Sequence, residues 1–145
     1  MKHKLKLTDK RSNFKPFNYP WCYDAFLQSE QMHWLHSEVP LQEDVVDWKN
    51  KLTQAEKDFL MHLFRFFTQA DVDVAGAYVN NYLPNFPQPE VRMMLSSFAA
   101  REAIHIAAYS HLIETLGIPE TTYNEFLQYK EMKDKFDYMQ TFNVK

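Results

Sequence analysis

Hydrophobic residues recur every three or four positions along two long segments of the chain, the spacing that places them on one face of an α-helix. The first segment follows Thr53, and its periodic positions are Leu60, Phe64, Phe67, Asp71, Val74 and Tyr78. The second follows Pro89, and its positions are Val91, Leu95, Phe98, Glu102, His105, Tyr109, Leu112 and Leu116. No segment alternates between hydrophobic and polar residues over five or more positions, so the pattern predicts an all-α fold without strands.

Local signals set the ends of these two helices. The capping box Thr53-Gln54-Ala55-Glu56 predicts the start of the first helix, and Pro84 predicts its end at about Tyr82. Pro89 suits the first turn of the second helix, and Gly117 suits its end. Because the connection between the two helices is short, we expect them to be antiparallel neighbours in a helical bundle.

The segments before these helices carry weaker signals. Residues 1–19 are mostly polar and predict an extended N-terminal arm, so we expect the folded domain to span 20–145. A first helix is expected from about Trp21 to Trp34, followed by a looser stretch that contains Pro40.

The last part of the chain contains a second capping box, Thr122-Tyr123-Asn124-Glu125. A side chain that caps a helix start satisfies backbone N–H groups that have no partner within the helix. The motif therefore predicts a last helix that begins there and ends at about Met139.

Polar residues interrupt both hydrophobic faces. Asp71 lies within the first face, whereas Asp73 falls on a different and more polar side of the same helix. Glu102 and His105 interrupt the second face in the same way. A carboxylate that faces a core is costly unless a cation or strong donors compensate it, and two carboxylates that face one core repel each other. A bound metal ion resolves both problems, because oxygen and imidazole ligands then stabilise the site.

The positions of these residues along the hairpin also agree. Asp71 lies 12 positions before Leu83, and Glu102 lies 14 positions after Gln88. At the rise of an α-helix, both are roughly 18–21 Å from the connecting loop and face each other at the same depth. Glu102 and His105 form a Glu-x-x-His pair, the motif that di-iron and di-manganese helical bundles use to bind metal.

Composition narrows the possible functions. The 145-residue chain is 46% hydrophobic and 24% charged, which is typical of a globular domain. Its two glycines exclude Gly-rich phosphate loops, and a net charge of −3 offers no basic surface for nucleic acid. No hydrophobic run approaches the roughly 20 residues of a membrane span. The single cysteine, Cys22, excludes an intrachain disulfide, and we expect a cytoplasmic protein.

Taken together, these motifs resemble the small, radical-generating subunit of class I ribonucleotide reductase. The resemblance rests on Phe66-Phe67-Thr68-Gln69-Ala70-Asp71, on the 31-residue step to Glu102, and on His105 and Tyr109. Met32-His33-Trp34 followed by Ser37-Glu38-Val39 is similar to an aromatic-Trp-x-x-Glu-Glu-Val motif of that family. The resemblance covers roughly residues 20–117 and implies a ferritin-like helical bundle, here partial because the later helices of the four-helix core are lacking.

The resemblance implies roles for five residues. Asp71, Glu102 and His105 would bind the first ion of a dinuclear metal centre, with Glu102 bridging the two ions. Iron is the first expectation, and manganese or a mixed pair stays open. Tyr109 would be the radical candidate, and Trp34 would begin the electron-transfer route to the large catalytic subunit. The implied function is oxygen activation that generates the oxidant or tyrosyl radical for ribonucleoside-diphosphate reduction, which is an oxidoreductase activity.

The chain departs from the family after Tyr109, since no further Glu-x-x-His pair occurs there. We therefore expect a second polypeptide or a missing C-terminal half to complete the metal site. The completed subunit is expected to form a homodimer. His62 and His111 are expected to be structural.

Three alternatives stay open. Glu30-Gln31-Met32-His33 is a second Glu-x-x-His pair, and it would allow a compact site with two such pairs in one chain. The ligands also suit another ferritin-like di-metal oxidase, which would not need Trp34. The third alternative is a non-catalytic helical interaction module that has lost its metal site, in which Glu102→Ala would leave the metal content unchanged.

Overall fold

A computed structural model describes residues 5–142, so the first four residues of the predicted arm lie outside the described part of the chain. All regular secondary structure of the described residues is helical, with no strand among them, which confirms the all-α prediction. The helices are α1 (Pro20–Gln31), α2 (Gln42–Asn50), α3 (Gln54–Ala77), α4 (Pro89–Leu116), α5 (Thr121–Asn124) and α6 (Lys130–Gln140). Short 3₁₀ turns lie at His36–Glu38 and Phe126–Gln128, and a π turn spans Tyr78–Tyr82. No described helix is both long and apolar enough to cross a membrane.

The start of α3 confirms the first capping box. The Thr53 backbone N–H donates to Glu56 Oε2 at 2.8 Å, and the Glu56 N–H donates to Thr53 Oγ1 at 3.4 Å. After Ala77 the helix widens into the π turn, and the Leu83 N–H donates to the Tyr78 carbonyl at 2.9 Å. The predicted end at about Tyr82 is therefore correct, although the last turn is π rather than α.

The predicted bounds of α4 are also confirmed. Pro89 occupies its first position, where a missing N–H costs nothing. Gly117 has φ +72°, the left-handed conformation that terminates many helices. The Gly117 N–H donates to the Glu114 carbonyl, and the Ile118 N–H donates to the Ile113 carbonyl, both at 3.1 Å. This pair of bonds satisfies two of the carbonyls that the helix end would otherwise leave without partners.

Two expectations before α3 were wrong. The first helix ends at Gln31 rather than at Trp34, and the stretch after Pro40 contains α2. This helix is short and carries a surface ion pair, Lys51 to Asp47 at 2.6 Å. Nine residues without a fully buried side chain give too weak a periodicity to mark a helix in the sequence.

The helix start predicted from the second capping box was also wrong, because a residue distant in the sequence binds Thr122 and Glu125 of this motif. The buried Arg65 guanidinium of α3 donates to the Thr122 carbonyl (Nε, 2.8 Å), the Glu125 carboxylate (Nη2, 3.0 Å) and the Tyr129 hydroxyl (Nη1, 3.1 Å). Glu125 therefore pairs with Arg65 rather than capping a helix start. The predicted single helix is replaced by α5, a 3₁₀ turn and α6.

The described residues form two compact units, 5–33 with 74–102 and 34–73 with 103–142. In the first unit, α1 and α4 enclose a core of Cys22, Val91, Met94 and Leu95. In the second, residues from α2 and α3 pack on a core of Ile113, Leu116 and Ile118. The predicted division into an arm at 1–19 and a domain at 20–145 stays a prediction.

Residues 5–19 are held in the first unit by two fully buried polar side chains that flank Pro89. Glu90 Oε1 accepts the N–H groups of Asn18 at 2.7 Å and of Tyr19 at 3.0 Å. Glu90 Oε2 lies 3.6 Å from the Arg11 guanidinium. Gln88 donates its amide to the Asp9 carbonyl at 2.6 Å. None of these contacts was predicted from the sequence.

Candidate metal centre

Asp71, Glu102 and His105 lie together. Asp71 and His105 belong to the second unit, and Glu102, the last residue of the first unit in α4, precedes His105 by one helical turn. Each offers one ligand atom, and the three atoms lie within 4.8 Å of one another. All three side chains are half-buried. Within residues 5–142 this is the one group of three or more potential metal ligands.

The chemistry of this group suits a transition-metal ion. Two carboxylates and one imidazole are hard and borderline ligands, the types that iron and manganese accept. Carboxylates this close repel each other unless a proton or a cation lies between them. A divalent ion removes the repulsion, and three protein ligands leave coordination positions for water, a substrate or further ligands. The residues present therefore fit a metal ion of the expected kind.

A cavity of about 360 Å³ opens beside Asp71 and His105 in the second unit. Aromatic and hydrophobic side chains form most of its wall, and four of the residues on it are His36, His111, Tyr109 and Trp34. His111 also lies on the wall of a neighbouring pocket that contains Glu38 and Thr115. No sequence pattern pointed to His36 in this wall, and His111 was expected only to be structural.

Tyr109 lies on the cavity wall, and its ring is parallel to that of Phe67, with 6.2 Å between centroids and 2° between planes. Burial raises the pKa of the Tyr109 phenol, and the negative charge of Asp71 raises it further. Both effects favour the neutral phenol, so Tyr109 retains its proton at neutral pH.

Trp34 precedes the 3₁₀ turn His36–Glu38 and lies against the imidazole of His105. The ring centroids are 6.1 Å apart and the planes are inclined by 28°. The sequence resemblance singled out this tryptophan for electron transfer. The structure brings it into contact with one of the three potential metal ligands.

The second Glu-x-x-His pair has a different environment. Glu30 Oε1 accepts the Ser97 hydroxyl at 2.6 Å and lies 3.5 Å from the Arg101 guanidinium. His33 is exposed. Neither residue belongs to a group of three potential ligands in the described part of the chain, which argues against a compact site with two such pairs.

Asp73 is likewise separate from the group, as its position on the helix predicts. Its Oδ1 accepts the Gln140 side-chain amide at 3.2 Å. Two aspartates two residues apart on α3 thus have different partners, and only Asp71 approaches Glu102 and His105.

Comparison with known proteins identifies the family. The model of the family described as "Ribonucleotide reductase, small chain" matches residues 11–145. The "Probable ribonucleoside-diphosphate reductase small subunit 376L" of Invertebrate iridescent virus 6 is 56% identical over 96% of this chain and 39% of its own length. The "Probable ribonucleoside-diphosphate reductase small subunit 048L" of Invertebrate iridescent virus 3 is 58% identical over 93% of this chain and 36% of its own length.

A third relative is covered more fully. This protein of Arabidopsis thaliana, named as a putative small chain of ribonucleoside-diphosphate reductase, is 31% identical over 77% of this chain and 70% of its own length. The chain thus spans less than two fifths of the two viral relatives. The match over nearly all of its residues shows that the chain belongs to the ribonucleotide reductase small chain family.

Proposed function

We propose that this chain forms part of a ribonucleoside-diphosphate reductase small subunit, in which Asp71, Glu102 and His105 bind one ion of a dinuclear metal centre. The observation that carries the proposal is the convergence of their ligand atoms to within 4.8 Å. The viral relatives are named as small subunits of this enzyme, which supports the same activity for the whole protein. We propose a cytoplasmic location on the basis of the single cysteine.

When bound, a dinuclear iron or manganese centre supplies the redox chemistry of oxygen activation, which no side chain can perform. The side chains of this chain bind the metal and position the groups around it. The two carboxylates would neutralise the charge of the bound metal, and Glu102 would be the ligand shared by both ions. His105 would supply an imidazole nitrogen, and the Trp34 ring lies against this imidazole.

Tyr109 is the radical candidate. Oxidation of a phenol to a neutral radical removes one electron and one proton, and the raised pKa keeps that proton on the oxygen until oxidation. The phenol lies on the cavity wall with Asp71, whose carboxylate is a candidate acceptor for the proton. Trp34 is the candidate that passes an electron between this site and the large catalytic subunit.

The remaining parts of the proposal concern what completes the site. The donor set permits iron, manganese or a mixed pair, and iron is proposed first. A second polypeptide or a further half of the protein supplies the ligands of the second ion, and the completed subunit forms a homodimer that works with the large subunit.

Metal binding tests the proposal most directly. In the completed protein, we expect metal binding to weaken by about 100-fold or more in each of Asp71→Asn, Glu102→Gln and His105→Gln. This loss is larger than the one caused by removing a side chain that only hydrogen-bonds to a metal ligand. The matched controls Asp73→Asn, Glu114→Gln and His62→Gln exchange the same residue types on the same two helices and should bind metal like the wild type. Elemental mass spectrometry after equilibrium dialysis measures the content. Equal metal content in wild type and all three ligand variants would refute the assignment.

The roles of the two aromatic residues are tested separately. Tyr109→Phe should abolish a tyrosyl radical signal in electron paramagnetic resonance without changing metal content, whereas Tyr82→Phe should preserve both. Trp34→Phe should retain the metal but abolish deoxyribonucleotide formation with the large subunit, and the exposed Trp21 provides the control. Substrate turnover that does not require the large subunit would instead favour another di-metal oxidase.

A further inference from the structure

The segment between α1 and α2 carries Trp34 but has little structure of its own. Within it, Met32 is 68%, Leu35 45% and Val39 42% exposed. Its backbone bonds beyond the end of α1 are local ones, from the Glu38 N–H to the Leu35 carbonyl and from the Val39 N–H to the His36 carbonyl. Side-chain contacts with the rest of the second unit must therefore fix the position of Trp34.

Two such contacts connect this segment to α4. The Trp34 ring lies against His105, with 6.1 Å between centroids, and the His36 ring meets the His111 ring edge to face, with 5.7 Å between centroids. Both contacts lie on the wall of the same cavity.

The spacing of the two contacts fits a segment that follows the helix in the same direction. His105 and His111 are six residues apart, which is about 9 Å along an α-helix. Trp34 and His36 are two residues apart, which is about 7 Å along an extended chain. Ring contacts of this kind are individually weak, so a second contact two residues away adds to the placement of Trp34.

We propose that His36 and His111 are positioning residues, whose ring contact holds Trp34 against the imidazole of His105. The contact acts on Trp34 through the backbone that joins Trp34 to His36. Its consequence for catalysis rests on the proposed function, because a misplaced Trp34 would slow electron transfer without removing the metal. The placement of Trp34 itself does not depend on that function.

Fluorine NMR of the intact protein labelled with fluorotryptophan tests the placement. Trp21, Trp34 and Trp48 of this chain each give a resonance, and Trp34→Phe assigns that of Trp34. In His36→Ala and in His111→Ala, the Trp34 resonance should move toward the position of free fluorotryptophan, and its relaxation by a soluble gadolinium chelate should rise several-fold. The resonances of Trp21 and Trp48 should not change. His62→Ala is the matched control, since it removes a ring contact with Tyr129 in the same unit.

The aromatic replacement His36→Phe separates a ring contact from general structural support. It should restore the Trp34 resonance and its protection, whereas His36→Gln, which keeps a polar side chain without a ring, should not. If an alanine variant fails to fold, this Phe and Gln pair decides the question. An unchanged Trp34 resonance in His36→Gln and His111→Gln, or an equal change in His62→Ala, would overturn the proposal.

Catalysis provides a second readout that separates this inference from the proposed function. His36→Gln should keep the wild-type metal content and the KM for the large subunit within about twofold, and it should lower kcat. Absence of bound metal in the completed wild-type protein would refute the proposed function. Normal metal content with unchanged kcat in His36→Gln would refute only the positioning role.

Discussion

Glu90→Gln offers a sharp test of how the N-terminal segment is held. Glu90 is fully buried at the start of α4, where it accepts the N–H groups of Asn18 and Tyr19 and faces the Arg11 guanidinium. Glutamine keeps the volume of the side chain and one oxygen acceptor, but it removes the negative charge. The substitution therefore leaves the positive charge of Arg11 buried without its acidic partner.

The magnitude depends on the partners that Arg11 retains. Breaking a buried ion pair by removing one partner costs about 3–5 kcal/mol. Arg11 keeps two other acceptors, because Nε donates to the Asn13 carbonyl at 2.5 Å and Nη2 to the Pro16 carbonyl at 2.7 Å. We therefore expect the low end of that range, a loss of about 3 kcal/mol in the free energy of unfolding.

The same carboxylate predicts a pH dependence. Burial raises the pKa of Glu90, but the backbone N–H groups that it accepts and the charge of Arg11 outweigh burial, so its pKa lies below the ordinary 4.5. A lowered pKa in the folded state means that the carboxylate stabilises the protein above about pH 4.5, and that this contribution is lost as the pH falls through the folded-state pKa. The stability difference between wild type and Glu90→Gln should be constant near neutral pH and should shrink below about 4.5.

Two assays measure these effects. Urea unfolding between neutral and acidic pH gives the global stability, and a double-mutant cycle with Arg11→Met isolates the charge pair. Cys22 gives a local reading, because it is fully buried in the core that Leu7 and Tyr19 help to cover. A local loss of about 3 kcal/mol should speed the reaction of Cys22 with an aromatic disulfide reagent by about 100-fold.

Glu114→Gln, an exposed change on the same helix, should alter neither the stability nor the Cys22 reaction. Wild-type stability in Glu90→Gln, or an unchanged stability difference below pH 4.5, would refute the reasoning. A coupling energy near zero with Arg11→Met would show that the backbone bonds to Glu90, and not the ion pair, carry the effect.

Three further predictions concern local structure, and urea unfolding followed by far-UV circular dichroism checks each of them. Arg65→Met removes three hydrogen bonds to the segment after α4 and should lower the free energy of unfolding by about 3 kcal/mol. Proteolysis near Thr122 should become faster, and an unchanged digestion pattern would contradict this prediction. Thr53→Ala should lower the free energy of unfolding by about 1 kcal/mol, whereas Thr122→Ala should lower it by less than about 0.5 kcal/mol because alanine keeps the carbonyl that Arg65 binds. Equal losses would contradict the conclusion that only Thr53 caps a helix. Gly117→Ala should destabilise the protein by about 1 kcal/mol, because the φ of Gly117 is +72°. Gly76→Ala should stabilise it by up to about 1 kcal/mol, because the new Cβ would lie 3.8 Å from its nearest neighbour, and effects of the same sign would refute this pair of predictions.

Sequence patterns predicted the elements whose determinants are local. The ends of α3 and α4 depend on the capping box at Thr53, on the prolines around the connection, and on Gly117, all of which act within a few residues. The convergence of Asp71 with Glu102 and His105 also follows from local periodicity, since two helices joined by a short loop place equal depths side by side.

The elements that the sequence did not predict depend on distant partners. The capping box at Thr122 satisfies the same sequence rule as the one at Thr53, yet the buried Arg65 binds its carbonyl and its glutamate from 57 and 60 residues away. A charged donor to several acceptors outweighs a cap worth about 1 kcal/mol. No signal within the segment itself reveals that competition.

Two classes of buried polar residue therefore differ in how well the hydrophobic pattern of the sequence predicts them. Asp71, Glu102 and His105 interrupt a hydrophobic face that packs on another helix, so the interruption itself marks them. Arg65 and Glu90 each lie one residue from such a face, next to Phe64 and Val91, at positions where a polar residue is ordinary. They are buried because segments outside the two long helices fold over them. Their partners are both backbone groups, which any sequence provides, and side chains that are distant in the sequence. The face-breaking residues gather carboxylate and imidazole ligand atoms in one place, whereas the covered ones bind the segments that fold over them. Of the two classes, only the first points from sequence to a cofactor.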